Sequence, residues 1–143
     1  MICYFDTSAF VPLLIGEQSS KTCLELWNEA DEVVTARLLY VEAAAAFAFA
    51  HRMDRLSDDE HRLTLRQLDR LWAEFDIIEV DEPVMRRAAQ LADQCALRGY
   101  DAVHCASAEQ VDDDQLVVVS GDRKLLNACQ ELGLSTADVN PLS

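Results

Sequence analysis

Short apolar runs alternate along the chain with longer segments whose apolar residues recur at helical spacing. Two of the runs, Ile2 to Phe5 and Leu116 to Val119, have the pattern of strands that are buried on both faces. Val33 to Thr35 and Ile77 to Val80 predict two more short strands. Because strands that alternate with helices favour a parallel sheet covered on both faces, we expect an α/β fold.

Helices are predicted between these strands, several with clear start and stop signals. A capping box, Ser57 to Glu60, opens one helix that runs to about Phe75. Pro83 starts another helix, Gly99 ends it, and Asp101 to Val111 forms the next. The other predicted helical segments are 9–14, 17–30, 38–51 and 123–132.

The segment from Leu38 to His51 is predicted to be a helix that is apolar on all sides. Glu42 is its only charged residue, and alanines fill much of the rest. A helix of this kind is buried, either inside the domain or against a partner subunit. It is too short to span a membrane, and Met1 leads directly into a strand, so we expect a cytoplasmic protein without membrane contact.

The composition predicts one domain that covers residues 1–143. The chain is 50% hydrophobic with few glycines and prolines, so it can bury a sizeable core without disulfide or metal support. Its five cysteines are an odd number without a CxxC spacing. We therefore expect reduced cysteines in the core and no zinc site.

Four acids occupy positions that set them apart from the other 22. Asp6 and Asp122 each follow a buried strand, and the carboxyl ends of parallel strands are where such sheets bind ligands. Asp101 opens a helix, and Glu42 lies in the apolar helix. If the four carboxylates converge, they need a cation to stay ionised together, and oxygen ligands of this kind suit Mg²⁺ or Mn²⁺.

A structural interpretation of the same acids stays open. Asp6, Asp101 and Asp122 each stand near a predicted helix start, where aspartate is a good cap. Glu42, a carboxylate that would cost several kcal/mol if buried alone, can instead pair with Arg37 or Arg98.

Hydroxyl and histidine side chains near these acids also allow two interpretations. Ser8 and Thr7 either approach a metal or satisfy backbone amides at the helix start. His104 lies three residues after Asp101 on the same helical face, and we expect it to be a buried or rim residue with hydrogen bonds rather than a metal ligand.

The charge of the chain limits how it can bind nucleic acid. Its formal net charge is −14, opposite to that of proteins that grip nucleic acid over a broad surface. A phosphate substrate therefore needs local help, from a bound divalent cation or from clustered basic residues. Arg123 and Lys124, beside Asp122, are well placed for this. The stripe of Arg62, Arg66 and Arg70 is predicted to be a solvated helix face, with pairs such as Asp58 with Arg62 and Arg70 with Glu74.

Four motifs together resemble the PIN-domain ribonucleases, more closely the VapC-type toxins of toxin–antitoxin systems. They are Asp6-Thr7-Ser8-Ala9, Tyr40-Val41-Glu42, Leu97-Arg98-Gly99-Tyr100-Asp101 with the Ala102-to-Ala108 segment that follows, and Val119-Ser120-Gly121-Asp122-Arg123-Lys124-Leu125-Leu126. The resemblance covers nearly the whole chain in the right order and spacing. It departs from many relatives at Ala36, where they have Ser or Thr.

The resemblance implies a three-layer α/β/α PIN-like fold with a central, mainly parallel sheet. It implies that Asp6, Glu42, Asp101 and Asp122 bind metal and are catalytic, with Ser8 as an accessory hydroxyl. The cofactor is then Mg²⁺, for which Mn²⁺ can substitute, and the substrate is RNA. The expected partners are a second copy of the chain, an expectation that also rests on the apolar helix, and an antitoxin that inserts a basic residue at the acidic site.

The activity expected from this site is in-line hydrolysis of a phosphodiester. It requires an activated water and stabilisation of charge on the phosphate and on the leaving oxygen, which one or two metal ions supply. We assign direct metal contact to Asp6, Asp101 and Asp122, while Glu42 binds metal or orients the water.

Two other classes of protein stay as alternatives. One is a non-catalytic acidic interaction domain. The other is an α/β phosphatase or receiver domain, whose patterns are not met because a phosphatase needs a second Asp where Ser8 stands and a receiver needs an acid pair there.

Overall fold

A computed structural model describes residues 1–142, and these residues form five strands and seven α-helices. The strands are β1 (Ile2–Phe5), β2 (Glu32–Ala36), β3 (Asp76–Ile78), β4 (Leu116–Ser120) and β5 (Ser135–Asp138). The helices are α1 (Thr7–Phe10), α2 (Ser20–Glu29), α3 (Leu39–Arg52), α4 (Asp58–Trp72), α5 (Glu82–Gln94), α6 (Gly99–Val111) and α7 (Arg123–Glu131). A 3₁₀ turn, Val11–Leu13, follows α1.

The five strands form one parallel sheet in the order β3-β2-β1-β4-β5. From β1 the chain builds outward to β3 on one side and then crosses to β4 on the other. The strand order therefore reverses between β1 and β4, where Phe5 pairs with Val119. Crevices at such reversals, outside the carboxyl ends of the strands, are where open parallel sheets bind ligands.

Side chains that alternate along β1 divide the core into two layers. Tyr4 packs with residues of α5, α6 and α7 on one face of the sheet. Cys3 and Phe5 pack with residues of α1 to α4 on the other face. The predicted three-layer α/β/α fold with a parallel sheet is thus confirmed.

Helix α3 is buried on one side only. Leu39, Ala43 and Phe47 are fully buried, whereas Val41 and Phe49 are 60% and 55% exposed. The interpretation that the whole helix is buried inside the domain is therefore wrong, and burial of its outer face against a partner subunit stays a prediction. No helix within residues 1–142 combines the length and the apolar character of a bilayer-spanning segment.

Most element bounds agree with the sequence predictions to within a few residues, and the larger differences are the junction of α5 with α6 and one missed strand. Helix α5 ends at Gln94, and Gly99 begins α6 instead of ending α5. The turn between them passes through Ala96, which has a positive φ of 54°. Strand β5 was missed, because its polar Ser-Thr-Ala-Asp sequence lacks the apolar pattern of a buried strand and it pairs with β4 alone at the sheet edge.

Candidate active site

The four acids predicted from the sequence line a single cavity of about 380 Å³ at the carboxyl edge of the sheet. The end of β1, the helices α1, α3 and α6, and the start of α7 each contribute to it. The lining residues are Asp6, Thr7, Ser8, Glu42, Ala45, Arg98, Tyr100, Asp101, His104 and Asp122.

Asp6 is the most buried of these acids, with 3% of its surface exposed. Its carboxylate caps α1 by accepting a hydrogen bond from the Ala9 amide at 3.1 Å. The Ser8 hydroxyl donates to Oδ1 at 2.8 Å, and the Ser120 hydroxyl donates to Oδ2 at 2.7 Å. Burial raises the pKa of Asp6 even though these bonds and the nearby His104 oppose the rise. A cation in the cavity would favour its ionised form.

Two serines connect Asp6 to the end of β4. Ser8 Oγ accepts from the Gly121 amide at 2.8 Å, and Ser120 Oγ accepts from the Asp122 amide at 2.9 Å. Ser8 thus satisfies a backbone amide, as one interpretation expected, but the amide is that of Gly121 before α7 and not one of α1, and Ser8 also bonds the acid Asp6. Ser120 was missed from the sequence, and the signal for it is the strand register, since Phe5 pairs with Val119.

Glu42 is held by two side chains from other elements. Thr7 Oγ1 donates to Glu42 Oε1 at 2.7 Å, and His104 Nε2 lies 2.6 Å from the same oxygen. The predicted pairing with Arg37 or Arg98 is wrong. Arg37 pairs with Glu79 at the surface, and Arg98 pairs with Asp101 of the cavity.

Asp101 lies in the first turn of α6 and pairs with Arg98, whose Nε is 3.2 Å from Oδ2. The cap position of this helix is Arg98, and no side chain caps it, so the alternative interpretation of Asp101 as a helix cap is wrong. Burial raises the pKa of Asp101, and the charge of Asp122 raises it further against the opposing effect of Arg98. The cavity thus brings these two carboxylates close enough to repel each other.

Asp122 caps α7, as the structural interpretation predicted. Its Oδ1 accepts from the amides of Lys124 and Leu125 at 3.0 and 3.2 Å. Asp6 and Asp122 therefore each cap a helix and also line the cavity, so the capping interpretation does not exclude the metal-site interpretation.

Three of the acids keep one oxygen free of hydrogen bonds to the rest of residues 1–142. These oxygens are Glu42 Oε2, Asp101 Oδ1 and Asp122 Oδ2. Carboxylate oxygens are the donors that hard divalent cations prefer, so the chemistry of the set fits Mg²⁺ or Mn²⁺. Their positions do not yet enclose an ion, since across residues 1–142 no three His, Cys, Asp or Glu side chains are grouped closely enough to hold one.

Basic residues are distributed differently from the sequence prediction. Arg98 lines the cavity, whereas Arg123 and Lys124 are exposed outside its lining. The guanidinium of Arg98 also lies 5.0 Å from the ring centre of Tyr100, which is 46% exposed at the same cavity. This places a cation and an aromatic face beside the acids.

The arginine stripe on α4 is exposed, as predicted, but its ion pairs differ. Arg62 pairs with Asp59 instead of Asp58, which bonds His51. Within the described part of the chain Arg70 and Glu74 form no ion pair, although a pair was expected there. The stripe lies on the solvent side of α4, away from the cavity lining.

A family model described as the PIN domain matches residues 3–131. The chain belongs to the PIN-domain family. This PIN domain is 40% identical over 136 residues to Ribonuclease VapC45 of Mycobacterium tuberculosis, a match that covers 95% of this chain and 94% of the relative. The resemblance drawn from the four motifs, including its VapC type, is thereby confirmed.

Solved structures share the fold at low sequence identity. FitAcB from Neisseria gonorrhoeae superposes with a TM-score of 0.73 at 19% identity, covering 97% of this chain and 98% of that one. A toxin–antitoxin complex from Klebsiella pneumoniae gives a TM-score of 0.66 at 18% identity, covering 98% and 99%. At these identities the likeness establishes the fold of this PIN domain.

Proposed function

We propose that this PIN domain is a divalent-metal-dependent endoribonuclease that acts as the toxin of a toxin–antitoxin pair. The observation that carries the proposal is the cavity at the point where the strand order reverses, which is lined by Asp6, Glu42, Asp101 and Asp122 together. The 40% identity to a relative named a ribonuclease supports RNA as the substrate.

The donor set suits Mg²⁺, for which Mn²⁺ can substitute. Asp6, Asp101 and Asp122 would contact the ion, and Glu42 would contact it or orient the attacking water. A bound divalent ion supplies a nucleophilic water at neutral pH and stabilises charge on the phosphate and the leaving oxygen.

The chain's own residues then orient the reacting groups. Ser8 and Ser120 hold both oxygens of Asp6, so that this carboxylate cannot rotate. Arg98 lies on the solvent side of its pair with Asp101, with 69% of its side chain exposed, so its guanidinium can also reach a substrate phosphate. The exposed ring of Tyr100 offers a face on which an unpaired base can stack. Such local contacts suit a protein whose net charge of −14 opposes broad contact with RNA.

An acidic interaction domain without catalysis is supported less well. In that case the acids serve as caps, yet two of the four have no capping role. Asp101 pairs with Arg98 inside the first turn of α6, and Glu42 bonds Thr7 and His104. Nothing about helix ends requires these two side chains to share a cavity with Asp6 and Asp122.

The proposed antitoxin inserts a basic side chain at the acidic site. The ion pair between Arg98 and Asp101 supports this, because it shows that a guanidinium can be accommodated at the cavity acids. One solved structure with the same fold is a toxin–antitoxin complex.

The chain is also proposed to form a homodimer through α3, where the exposed Val41 and Phe49 leave an apolar face uncovered. Light scattering at micromolar concentration tests this directly. A strictly monomeric protein contradicts the dimer.

Expression in bacteria tests the proposed activity. The wild-type chain should arrest growth and generate new RNA ends, whereas the Asp6→Asn variant should do neither. Asp114→Asn is the matched control, because it removes an exposed acid at the opposite edge of the sheet and should behave as wild type. Growth arrest and RNA ends that persist in Asp6→Asn contradict the assignment.

A further inference from the structure

His104 connects the two helical layers at the carboxyl edge of the sheet. It lies on α6 with 2% of its surface exposed. Its Nδ1 is 2.7 Å from the hydroxyl of Tyr4 on β1, and its Nε2 is 2.6 Å from Oε1 of Glu42 on α3. The imidazole thus spans from one layer to the other, and it ends on an acid of the cavity.

The direction of these hydrogen bonds follows from their chemistry. An ionised carboxylate only accepts hydrogen bonds, so His104 Nε2 carries the hydrogen that Glu42 receives. In the neutral ring Nδ1 is then an acceptor, and the Tyr4 hydroxyl donates to it. A tyrosine hydroxyl has an ordinary pKa of about 10, so at neutral pH the Tyr4 hydroxyl keeps its proton and can donate it.

Both hydrogen bonds that the Glu42 side chain accepts from the protein end on the same carboxylate oxygen. Thr7 and His104 occupy Oε1, while Oε2 makes no hydrogen bond to the rest of residues 1–142. Two donors from different elements fix the rotation of the carboxylate. They leave the other oxygen for a ligand in the cavity.

We propose that His104 is a positioning residue that, oriented by Tyr4, holds the Glu42 carboxylate so that Oε2 is presented to a divalent cation in the cavity. This inference rests on the proposed metal-dependent function and adds to it a residue outside the four acids. Hydrogen-bonding partners of metal ligands orient those ligands, and their loss typically weakens metal affinity by 10–100-fold.

The test measures Mn²⁺ binding to the RNA-free protein by electron paramagnetic resonance, with melting temperatures in EDTA as a check of folding. His104→Leu removes both hydrogen bonds and should raise the Mn²⁺ dissociation constant by about 10–100-fold. His104→Gln keeps an amide donor for Glu42 and should recover most of the affinity. Tyr4→Phe removes only the hydroxyl and should fall between these two variants.

A double-mutant cycle shows whether His104 acts through Glu42. If it does, Glu42→Gln combined with His104→Leu should bind Mn²⁺ no more weakly than Glu42→Gln alone. Cys105→Ala is the matched control, because Cys105 is the next residue of α6, fully buried and outside the cavity lining. Its melting temperature can fall, but its Mn²⁺ affinity should stay at the wild-type value.

The possible outcomes distinguish a failure of the positioning role of His104 from a failure of the proposed metal-dependent function. Wild-type affinity in His104→Leu, or effects of His104→Leu and Glu42→Gln that simply add, overturns the positioning role while the metal site stands. A wild-type protein that binds no Mn²⁺ and leaves RNA intact overturns the proposed function itself, and the positioning role with it. If His104→Leu does not fold, His104→Gln and Tyr4→Phe decide the question.

Discussion

The two edges of the sheet each carry a group of acids beside a cavity, and only one group has the character of a site. At the carboxyl edge, four acids line about 380 Å³. At the other edge, the loop Asp112 to Asp114 and Glu109 of α6 line about 320 Å³ with the starts of β4 and β5. Neither the number of acids nor the volume of the cavity distinguishes the two edges.

The two groups of acids differ in how buried they are and in which elements carry them. Asp112 to Asp114 are consecutive and exposed, so each is solvated independently of the fold, and Glu109 is already paired with Arg87. Asp6 and Asp101 are buried, and they come from separate elements that the strand order brings together. A fold that places buried carboxylates from separate elements in one cavity makes their ionised forms costly without a compensating charge, whereas a run of exposed acids in a loop is stabilised by water.

Substitutions of acids at the two edges should differ most strongly in their effect on RNA cleavage. Asp6→Asn, Glu42→Gln, Asp101→Asn and Asp122→Asn should each reduce Mn²⁺-dependent RNA cleavage by about 100-fold or more, because direct ligands matter more than their partners, whose loss costs about 10–100-fold. Initial rates on a labelled RNA measure the effect. Asp114→Asn should cleave at the wild-type rate, and equal losses at the two edges would show that general charge, not the cavity, controls activity.

Metal should stabilise the wild-type fold through the carboxyl edge alone. Mn²⁺ at 100 times its dissociation constant should add about 2.7 kcal/mol to the free energy of unfolding, because it binds the native state and not the unfolded chain. Thermal melts with and without metal measure this gain. The gain should nearly vanish in Asp101→Asn and persist in Asp114→Asn, and an equal response in both variants contradicts a metal site in the cavity.

Two helix caps separate stability from activity. Asp81 caps α5 and Asp122 caps α7, but only Asp122 lines the cavity. Asp81→Ala and Asp122→Ala should each lower the free energy of unfolding by about 0.5–2 kcal/mol, measured by urea titration. RNA cleavage should survive in Asp81→Ala and be lost in Asp122→Ala. Parallel losses of activity in the two variants would assign the effect to the fold.

The smallest predicted effect concerns the metal-free protein. The raised pKa of Asp101 means that its ionisation destabilises the fold, because the folded state holds the proton more tightly than the unfolded chain. In EDTA at neutral pH, Asp101→Asn should therefore melt at or above the wild-type temperature. The wild-type penalty should be absent below the ordinary aspartate pKa of about 3.9, grow as the pH rises through the raised value, and then stay constant.

Asp114→Asn supplies the control for this comparison, since its exposed position predicts a change within about 0.5 kcal/mol. Melting temperatures across a pH series measure all three proteins. An Asp101→Asn variant that melts well below wild type in EDTA contradicts the crowding of charges in the cavity.

The sequence predicted which acids lie together in the cavity better than it predicted their hydrogen-bonding partners. Asp6 and Asp122 stand out because an apolar run ends shortly before each of them, and Glu42 because it is the single charge in an apolar helix. Ser120 and the contact between His104 and Glu42 depend on which strands are neighbours and on how α3 and α6 approach each other. Neither fact is contained in the local pattern of residues.

The outermost strand β5 and the outer face of α3 were similarly hard to predict. β5 is a polar strand that pairs with β4, and its sequence lacks the apolar pattern that marks a central strand. The outer face of α3 is apolar but exposed, so hydrophobicity alone did not show which surface the chain covers. Local signals such as the capping box at Ser57 were predicted and confirmed, because both of its hydrogen bonds lie within four residues of sequence.

The central claim is that the carboxyl-edge acids of this PIN domain form a metal-dependent ribonuclease site. Its most direct test is to titrate Mn²⁺ into the wild-type protein and to measure RNA cleavage and Mn²⁺ binding in parallel. We predict no cleavage in EDTA, a saturable rise with Mn²⁺, and a midpoint that agrees with the dissociation constant measured without RNA. Cleavage at full rate in EDTA would contradict the account.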